Sequence, residues 1–186
     1  MGSGPILVIS GTNRPGANAL KVAKIVEAHH RRAGTPVELL GLAELTPEVF
    51  DPIAYATKPP KMQELQQRVL DSRGLHVITP EYNGSFPGVL KYFIDMLKFP
   101  ESFENKPVAF VGEAAGMWGG LRSVEQLQAI FAYRNAHLFH QRVFMPNIKN
   151  ALDADGKLVD PALDERLMKQ AVGFAEYVRH FMPRSA

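Results

Sequence analysis

The chain has 186 residues, 46% of them hydrophobic, with 21 Lys and Arg against 19 Asp and Glu. This length and composition predict one globular domain over residues 1–186, because a chain of this size can bury about 70% of its unfolded surface. The absence of cysteine excludes disulfide frameworks, thiolate metal sites and cysteine nucleophiles, so that redox chemistry would need a cofactor.

Charge and hydropathy exclude two further classes of partner. The formal net charge is only +2, and we interpret the densest basic pair, Arg31-Arg32, as a solvated helix end rather than a nucleic-acid surface. No apolar run approaches the roughly 18 residues of a membrane span, and no basic segment precedes the apolar run at 6–9. The sequence therefore predicts a cytoplasmic protein with neither a nucleic-acid nor a membrane partner.

Five short apolar runs alternate with helical patterns along the chain. The runs predict strands at residues 6–9, 37–40, 75–79, 108–111 and 137–145. Apolar spacing predicts helices from Asn18 as N-cap to Gly34, up to Gly74 after a Pro-rich stretch, between Pro87 and Pro100, from Leu121, and from Pro161. This alternation predicts an α/β fold, a flavodoxin-like doubly wound sheet of five parallel strands in the order 2-1-3-4-5 with helices on both faces.

In such a sheet a ligand lies beyond the carboxyl ends of the strands, where the order of strands reverses. The loops after the first, third and fourth strands meet there. The first loop leads into a helix N-terminus, where backbone N–H groups and the helix dipole favour an anion. Thr12, Asn18 and the Arg14 guanidinium suit a phosphate, although a plain capping turn remains an alternative interpretation.

Several phosphate-binding motifs are missing from the sequence, and their absence excludes the corresponding kinds of phosphate ligand. Neither the glycine pattern of dinucleotide sites nor a P-loop follows the first strand, and Ser10-Gly11-Thr12 lacks the acidic residues of a metal-dependent receiver domain. The ligand class that these exclusions leave is a phosphomonoester, such as that of a mononucleotide.

The other two loops suit a flat heterocycle. The loop of residues 80–84 offers backbone polar groups, the aromatic face of Tyr82 and close approach at Gly84. The loop of residues 112–120 is rich in Gly and Ala, which either pack against a planar ligand or serve the protein core. Met117 and Trp118 are candidates for pocket walls or partner contacts.

Three motifs together resemble the NAD(P)H-dependent FMN reductase family, which includes quinone, azo and chromate reductases. They are Gly11-Thr12-x-Arg14, the quite specific Pro80-Glu81-Tyr82-Asn83-Gly84, and Gly119-Gly120-Leu121-Arg122. The resemblance extends from about Ile6 to Met145. The chain departs from the family at Ala17, where Ser is frequent.

The resemblance implies bound FMN that passes reducing equivalents from NAD(P)H to a quinone, azo compound, free flavin or metal oxyanion. It also implies a homodimer or homotetramer. From the sequence itself, the candidate interface aromatics are Trp118, Phe131 and Phe139. No side chain is assigned as a catalytic acid or base, and Tyr82 is expected to shape the substrate face. The implied FMN-binding residues are Ser10, Thr12, Arg14, Asn18, Ala19, Leu20, Pro80, Glu81, Tyr82, Asn83, Gly84, Ala115 and Gly116.

Two other functions remain open at this point: a flavodoxin-type electron carrier without enzymatic activity, and an interaction protein that has lost FMN. A metal site is not predicted. His137-x-x-His140 lies in a predicted strand, where residues three apart face opposite sides, and the calcium-loop pattern at 153–156 lacks ligands at its ends.

Overall fold

Five parallel strands form one sheet in the computed structural model, which describes residues 4–181. The strand order is β2-β1-β3-β4-β5, as predicted from the alternation of elements. The strands are β1 (Ile6–Ser10), β2 (Val37–Gly41), β3 (Gly74–Pro80), β4 (Pro107–Glu113) and β5 (His137–Met145).

Within residues 4–181 six helices accompany the sheet, and the Pro-rich stretch after β2 forms three short 3-10 turns. The helices are α1 (Asn18–Arg32), α2 (Pro60–Asp71), α3 (Gly88–Met96), α4 (Leu121–Tyr133), α5 (Ile148–Ala151) and α6 (Pro161–Arg179). No helix within the described range is both long and apolar enough to cross a membrane.

The three inner strands are buried on both faces, which explains their continuous apolar runs. On one face Leu7 and Val108 pack with α2, α3 and α4. On the other face Val8, Ile78 and Val111 pack with α1 and the N-terminal half of α6. The helices that follow β1 and β3 thus lie on opposite faces of the sheet.

The structure corrects three predictions. Asn18 is not the N-cap of α1, because Ala17 has the extended backbone of a cap and Asn18 is already helical. β4 continues two residues beyond the predicted Val111, since Gly112 and Glu113 still pair with β5. Phe131 and Phe139 are only 3% and 4% exposed, and a buried core aromatic cannot serve as an interface residue of the folded chain.

A chain of buried polar side chains joins α1, β3 and α6. His30 Nε2 lies 3.1 Å from His76 Nδ1, and His76 Nε2 lies 3.2 Å from Gln170 Oε1. The Gln170 amide group donates to the Phe110 carbonyl at 2.9 Å. Burial, with a smaller contribution from His29, lowers the pKa of His30 to about 4, and burial holds the pKa of His76 well below its ordinary value. Both rings are therefore neutral in the native protein at neutral pH.

We expect this pair to make the fold acid-sensitive. The unfolded chain protonates His30 near pH 6.5, whereas the native chain protonates it only near its pKa of about 4. Stability is therefore lost as the pH falls below 6.5, and His30 contributes on the order of 2 kcal/mol of that loss between pH 7 and pH 5. Urea unfolding at the two pH values measures it.

The matched variants are His30→Phe, which keeps an aromatic ring beside Phe174, and His140→Gln at an exposed position. The acid-dependent loss should shrink in His30→Phe and persist in His140→Gln. An unchanged loss in His30→Phe would contradict the assignment.

Candidate active site

A cavity of about 390 Å³ opens beyond the carboxyl ends of β1, β3 and β4, where the sequence predicts a ligand. Its volume lies within the range of small-molecule sites. It is lined by Arg14, Pro15, Gly16, Ala17, Asn18, Pro80, Glu81, Tyr82, Glu113, Ala114, Ala115, Ile148 and Lys149.

The loop after β1 delivers an uncapped helix N-terminus to the cavity. Thr12 Oγ1 accepts the backbone N–H of Arg14 at 3.2 Å, which tightens the start of the loop. Gly16 has a φ of +68° and turns the chain into α1. Ala17 supplies no side-chain cap, and the first turn of α1 holds no acidic residue. The first turn of α1 thus presents backbone N–H groups and the positive end of the helix dipole to an anion.

Two cations also line the cavity. The Arg14 side chain lies on the β1 loop and the Lys149 side chain on α5, and both residues are exposed. Neither forms an ion pair within residues 4–181. Arginine presents a planar fork that matches phosphate oxygens, whereas lysine presents a single mobile charge. Together with α1 they make this wall of the cavity positive.

The loop after β3 is a tight turn. The backbones of Tyr82 and Ser85 exchange two hydrogen bonds, at 2.8 and 3.1 Å. Asn83 and Gly84 between them have φ values of 53° and 77°, the left-handed pair of a type I′ turn. The Tyr82 hydroxyl lies 3.3 Å from Thr12 Oγ1 and ties this turn to the β1 loop.

Glu81, also in this loop, has one carboxyl oxygen with a hydrogen-bond partner and one without. The Arg122 guanidinium donates to Glu81 Oε1 at 3.0 Å. Glu81 Oε2 is buried and has no hydrogen-bond partner among the described residues. Since an unpaired buried acceptor costs free energy, this atom is suited to a donor from a ligand.

The loop after β4 divides into two parts. Gly119 and Gly120 have φ values of +58° and +86° and pack against the protein backbone, where a Cβ on Gly120 would lie 2.5 Å from the Glu113 nitrogen. These two positions require glycine because a side chain would clash with the neighbouring protein backbone, not because a ligand approaches. Ala115 and Gly116 are exposed instead, and Ala115 lines the cavity.

The sequence gives little warning of Glu113, because it follows Gly112 in what reads as the start of a loop. β4 in fact extends through it. Glu113 lines the cavity and is only 6% exposed. Burial raises the pKa of Glu113 to about 7, although the backbone N–H of Ala19 in the first turn of α1 favours the charged form. An apolar strand that ends in an acidic residue at the ligand edge is the signal that could have found it.

The structure brings some of the predicted site residues together and sets others apart. Those that line the cavity are Arg14, Asn18, Pro80, Glu81, Tyr82 and Ala115. Thr12 and Ala19 are buried next to it, and Ser10 is buried at the end of β1. The Leu20 N–H donates to the Ala17 carbonyl at 3.2 Å. Asn83, Gly84 and Gly116 are outside the cavity lining.

The strand order and the cavity at the switch point define the class of flavodoxin-like α/β proteins. The sequence profile of the NADPH-dependent FMN reductase family matches residues 5–151. The chain therefore belongs to this family, and it is an oxidoreductase with FMN as cofactor and NAD(P)H as co-substrate.

Individual relatives agree with the family. The chain is 29% identical over 150 residues to an NAD(P)H-dependent FMN reductase of Pseudomonas aeruginosa, covering 78% of this chain and 80% of that protein. It is 28% identical over 178 residues to a 2-hydroxy-1,4-benzoquinone reductase of a Burkholderia species, covering 87% and 97%. The solved flavoenzyme NAD(P)H:(acceptor) oxidoreductase FerB of Paracoccus denitrificans superposes with a TM-score of 0.79 at 22% identity, covering 94% and 97%.

We expect Gly120→Ala to destabilise the protein by about 2 kcal/mol or more, because its positive φ and the contact with the Glu113 nitrogen leave no room for a methyl group. The control is Gly116→Ala in the same loop, where no atom lies within 4 Å of the added Cβ. That variant should stay within about 0.5 kcal/mol of wild type. Urea unfolding measures both, and equal effects would show that the β4 loop is not packed as described.

Proposed function

We propose that this chain binds FMN in the cavity at the carboxyl ends of β1, β3 and β4 and transfers reducing equivalents from NAD(P)H to a small acceptor. The N-terminus of α1, which has no side-chain cap, lies beside Arg14, which forms no ion pair among residues 4–181, and this is the observation that carries the proposal. It provides oriented N–H donors and a free guanidinium at one end of a cavity, as a phosphomonoester needs.

The residues present fit the group. The phosphate would be held by the amides of the first turn of α1, with the Arg14 guanidinium and the Asn18 side chain beside them. The flat ring would lie between the β3 and β4 loops, where Tyr82 and Ala115 form the walls. The free Glu81 Oε2 would accept a hydrogen bond there, since Arg122 holds the other oxygen. The other proposed FMN-binding residues are Ser10, Thr12, Ala19, Leu20, Asn83, Gly84 and Gly116.

When bound, FMN supplies two-electron redox chemistry that no side chain of this chain can supply. The side chains of this chain would bind the cofactor and orient it. The Thr12 and Tyr82 hydroxyls hold the two binding loops in register. NAD(P)H and acceptor would approach the same exposed face in turn.

We propose a small planar acceptor of the quinone type. The support is the similarity, over 87% of this chain, to a protein named 2-hydroxy-1,4-benzoquinone reductase. Tyr82 offers an aromatic face at the cavity for a flat molecule to stack upon. Azo compounds, free flavin and metal oxyanions are the alternatives.

A flavodoxin-type electron carrier is the competing function. Carriers dock on basic partners and are acidic, whereas this chain has a net charge of +2. The purified protein should show a flavin absorbance band that bleaches on addition of NADPH or NADH, and it should oxidise the nucleotide continuously when a benzoquinone is supplied. A flavin band that neither nucleotide bleaches would favour the carrier.

We also propose a homodimer or homotetramer in the cytoplasm. Met117 and Trp118 are 79% and 53% exposed at the tip of the β4 loop, next to the cavity wall. Two large apolar side chains in this position suit a subunit contact.

We expect Arg14→Ala to lose bound FMN, because the variant removes the guanidinium from the phosphate end of the cavity. The dissociation constant for FMN should rise by at least about tenfold, the cost of one charge-assisted hydrogen bond. Quenching of FMN fluorescence on binding measures it.

The matched control is Arg31→Ala at the opposite end of the same helix, where the guanidinium pairs with Glu27 at 2.6 Å on the surface. This variant should keep wild-type flavin affinity. Equal affinity for FMN in Arg14→Ala and wild type would refute the phosphate assignment.

A further inference from the structure

We propose that the Glu113 carboxyl competes with the FMN phosphate for the N-terminus of α1, so that flavin binding is coupled to proton uptake by this side chain. The inference rests on the FMN site proposed above. It makes Glu113 a positioning residue that sets flavin affinity, and it assigns no role in hydride transfer.

The Glu113 backbone is fixed from three sides. It is the last residue of β4 and pairs with Pro80 in β3 and with Met145 in β5. Its carbonyl accepts the Glu81 N–H at 2.9 Å. Gly120 packs so closely on its nitrogen that no Cβ would fit between them. The backbone at this position therefore cannot shift away from the cavity when a ligand enters.

Glu113 lines the same cavity as Ala17 and Asn18 at the start of α1. Val111, two residues earlier on β4, packs with α1, so the alternation of side chains along the strand places Glu113 on the same face of the sheet. The Ala19 N–H, a donor of the first turn of α1, favours the charged form of the Glu113 carboxyl and so opposes the rise of its pKa. The same turn is the proposed phosphate site. A carboxylate and a phosphate at one helix end would repel each other in a region of low dielectric. The repulsion is relieved when the carboxyl gains a proton, because the neutral acid carries no net charge.

The surrounding groups leave Glu113 free to take this proton. Arg14 from the β1 loop and Lys149 from α5 are the cations that line the cavity with it. From the β3 loop come Tyr82 and Glu81, whose carboxylate is held by Arg122 of α4. Burial, not any of these charges, is the main cause that raises the pKa of Glu113 to about 7 before a ligand is bound. An arriving dianion raises that pKa further.

The first experiment compares FMN affinity at pH 6 and pH 8.5. With a free-protein pKa of about 7 and a complex that holds the proton, wild type should bind FMN roughly 30-fold more weakly at the higher pH. Glu113→Gln keeps the shape and cannot ionise, so its affinity should change much less and exceed that of wild type at pH 8.5. The phosphate's own titration is common to both proteins and cancels in the ratio.

Two controls separate the carboxyl from other effects. Glu125→Gln on α4 removes an exposed carboxylate outside the cavity and should retain the full pH dependence. Riboflavin, which lacks the phosphate, should bind to wild type with little pH dependence. If riboflavin affinity fell with pH as steeply as FMN affinity, the effect would not involve the phosphate, and the proposal would be overturned.

The second experiment needs no variant. Calorimetric titration of wild type with FMN at pH 8, in two buffers of different ionisation enthalpy, should show uptake of about 0.9 proton for each flavin bound. If FMN binds with no proton uptake, or with equal pH dependence in wild type and Glu113→Gln, the inference fails and the FMN site stands. If wild type binds no FMN at any pH, the proposed function itself fails.

Discussion

The parallel pairing of β1 with β3 is the constraint on which the rest of the molecule depends. It places the carboxyl ends of both strands at one edge of the sheet. The chain then leaves β1 for one face, toward α1, and leaves β3 for the other face, toward α3. The two loops diverge, and a crevice opens between them. The helix N-terminus, the type I′ turn and the end of β4 all border that crevice.

Much of this arrangement could be predicted, because parallel strands buried on both faces leave a strong pattern in the sequence. The runs at Ile6 and Leu75 are continuous and apolar, and their pairing follows from the alternation with helices. The loops that border the cavity were equally visible, since turn residues interrupt the pattern after both strands. Arg14, Asn18 and Tyr82 line the cavity as the motifs suggest.

What sequence reasoning missed depends on packing between distant segments. Nothing local to Glu113 shows that it lines one cavity with the first turn of α1, which is about 90 residues earlier in the chain. Gly119 and Gly120 resemble ligand-contact glycines, but their positive φ values and close backbone neighbours belong to the β4 loop. Phe131 was misjudged because its partners, Phe103 and Phe110, come from other elements. Such roles depend on tertiary contacts, so they can be recognised only in the folded structure.

The hydroxyl contact between Thr12 and Tyr82 has a consequence for the kinetics of loading. It fastens the loop that would meet the phosphate to the loop that would meet the ring, so both halves of the crevice are preorganised. A ligand entering such a site loses its own freedom but orders little of the protein. Association would then resemble docking into a rigid receptor, and the lifetime of the complex would be governed by how fast the bound molecule escapes.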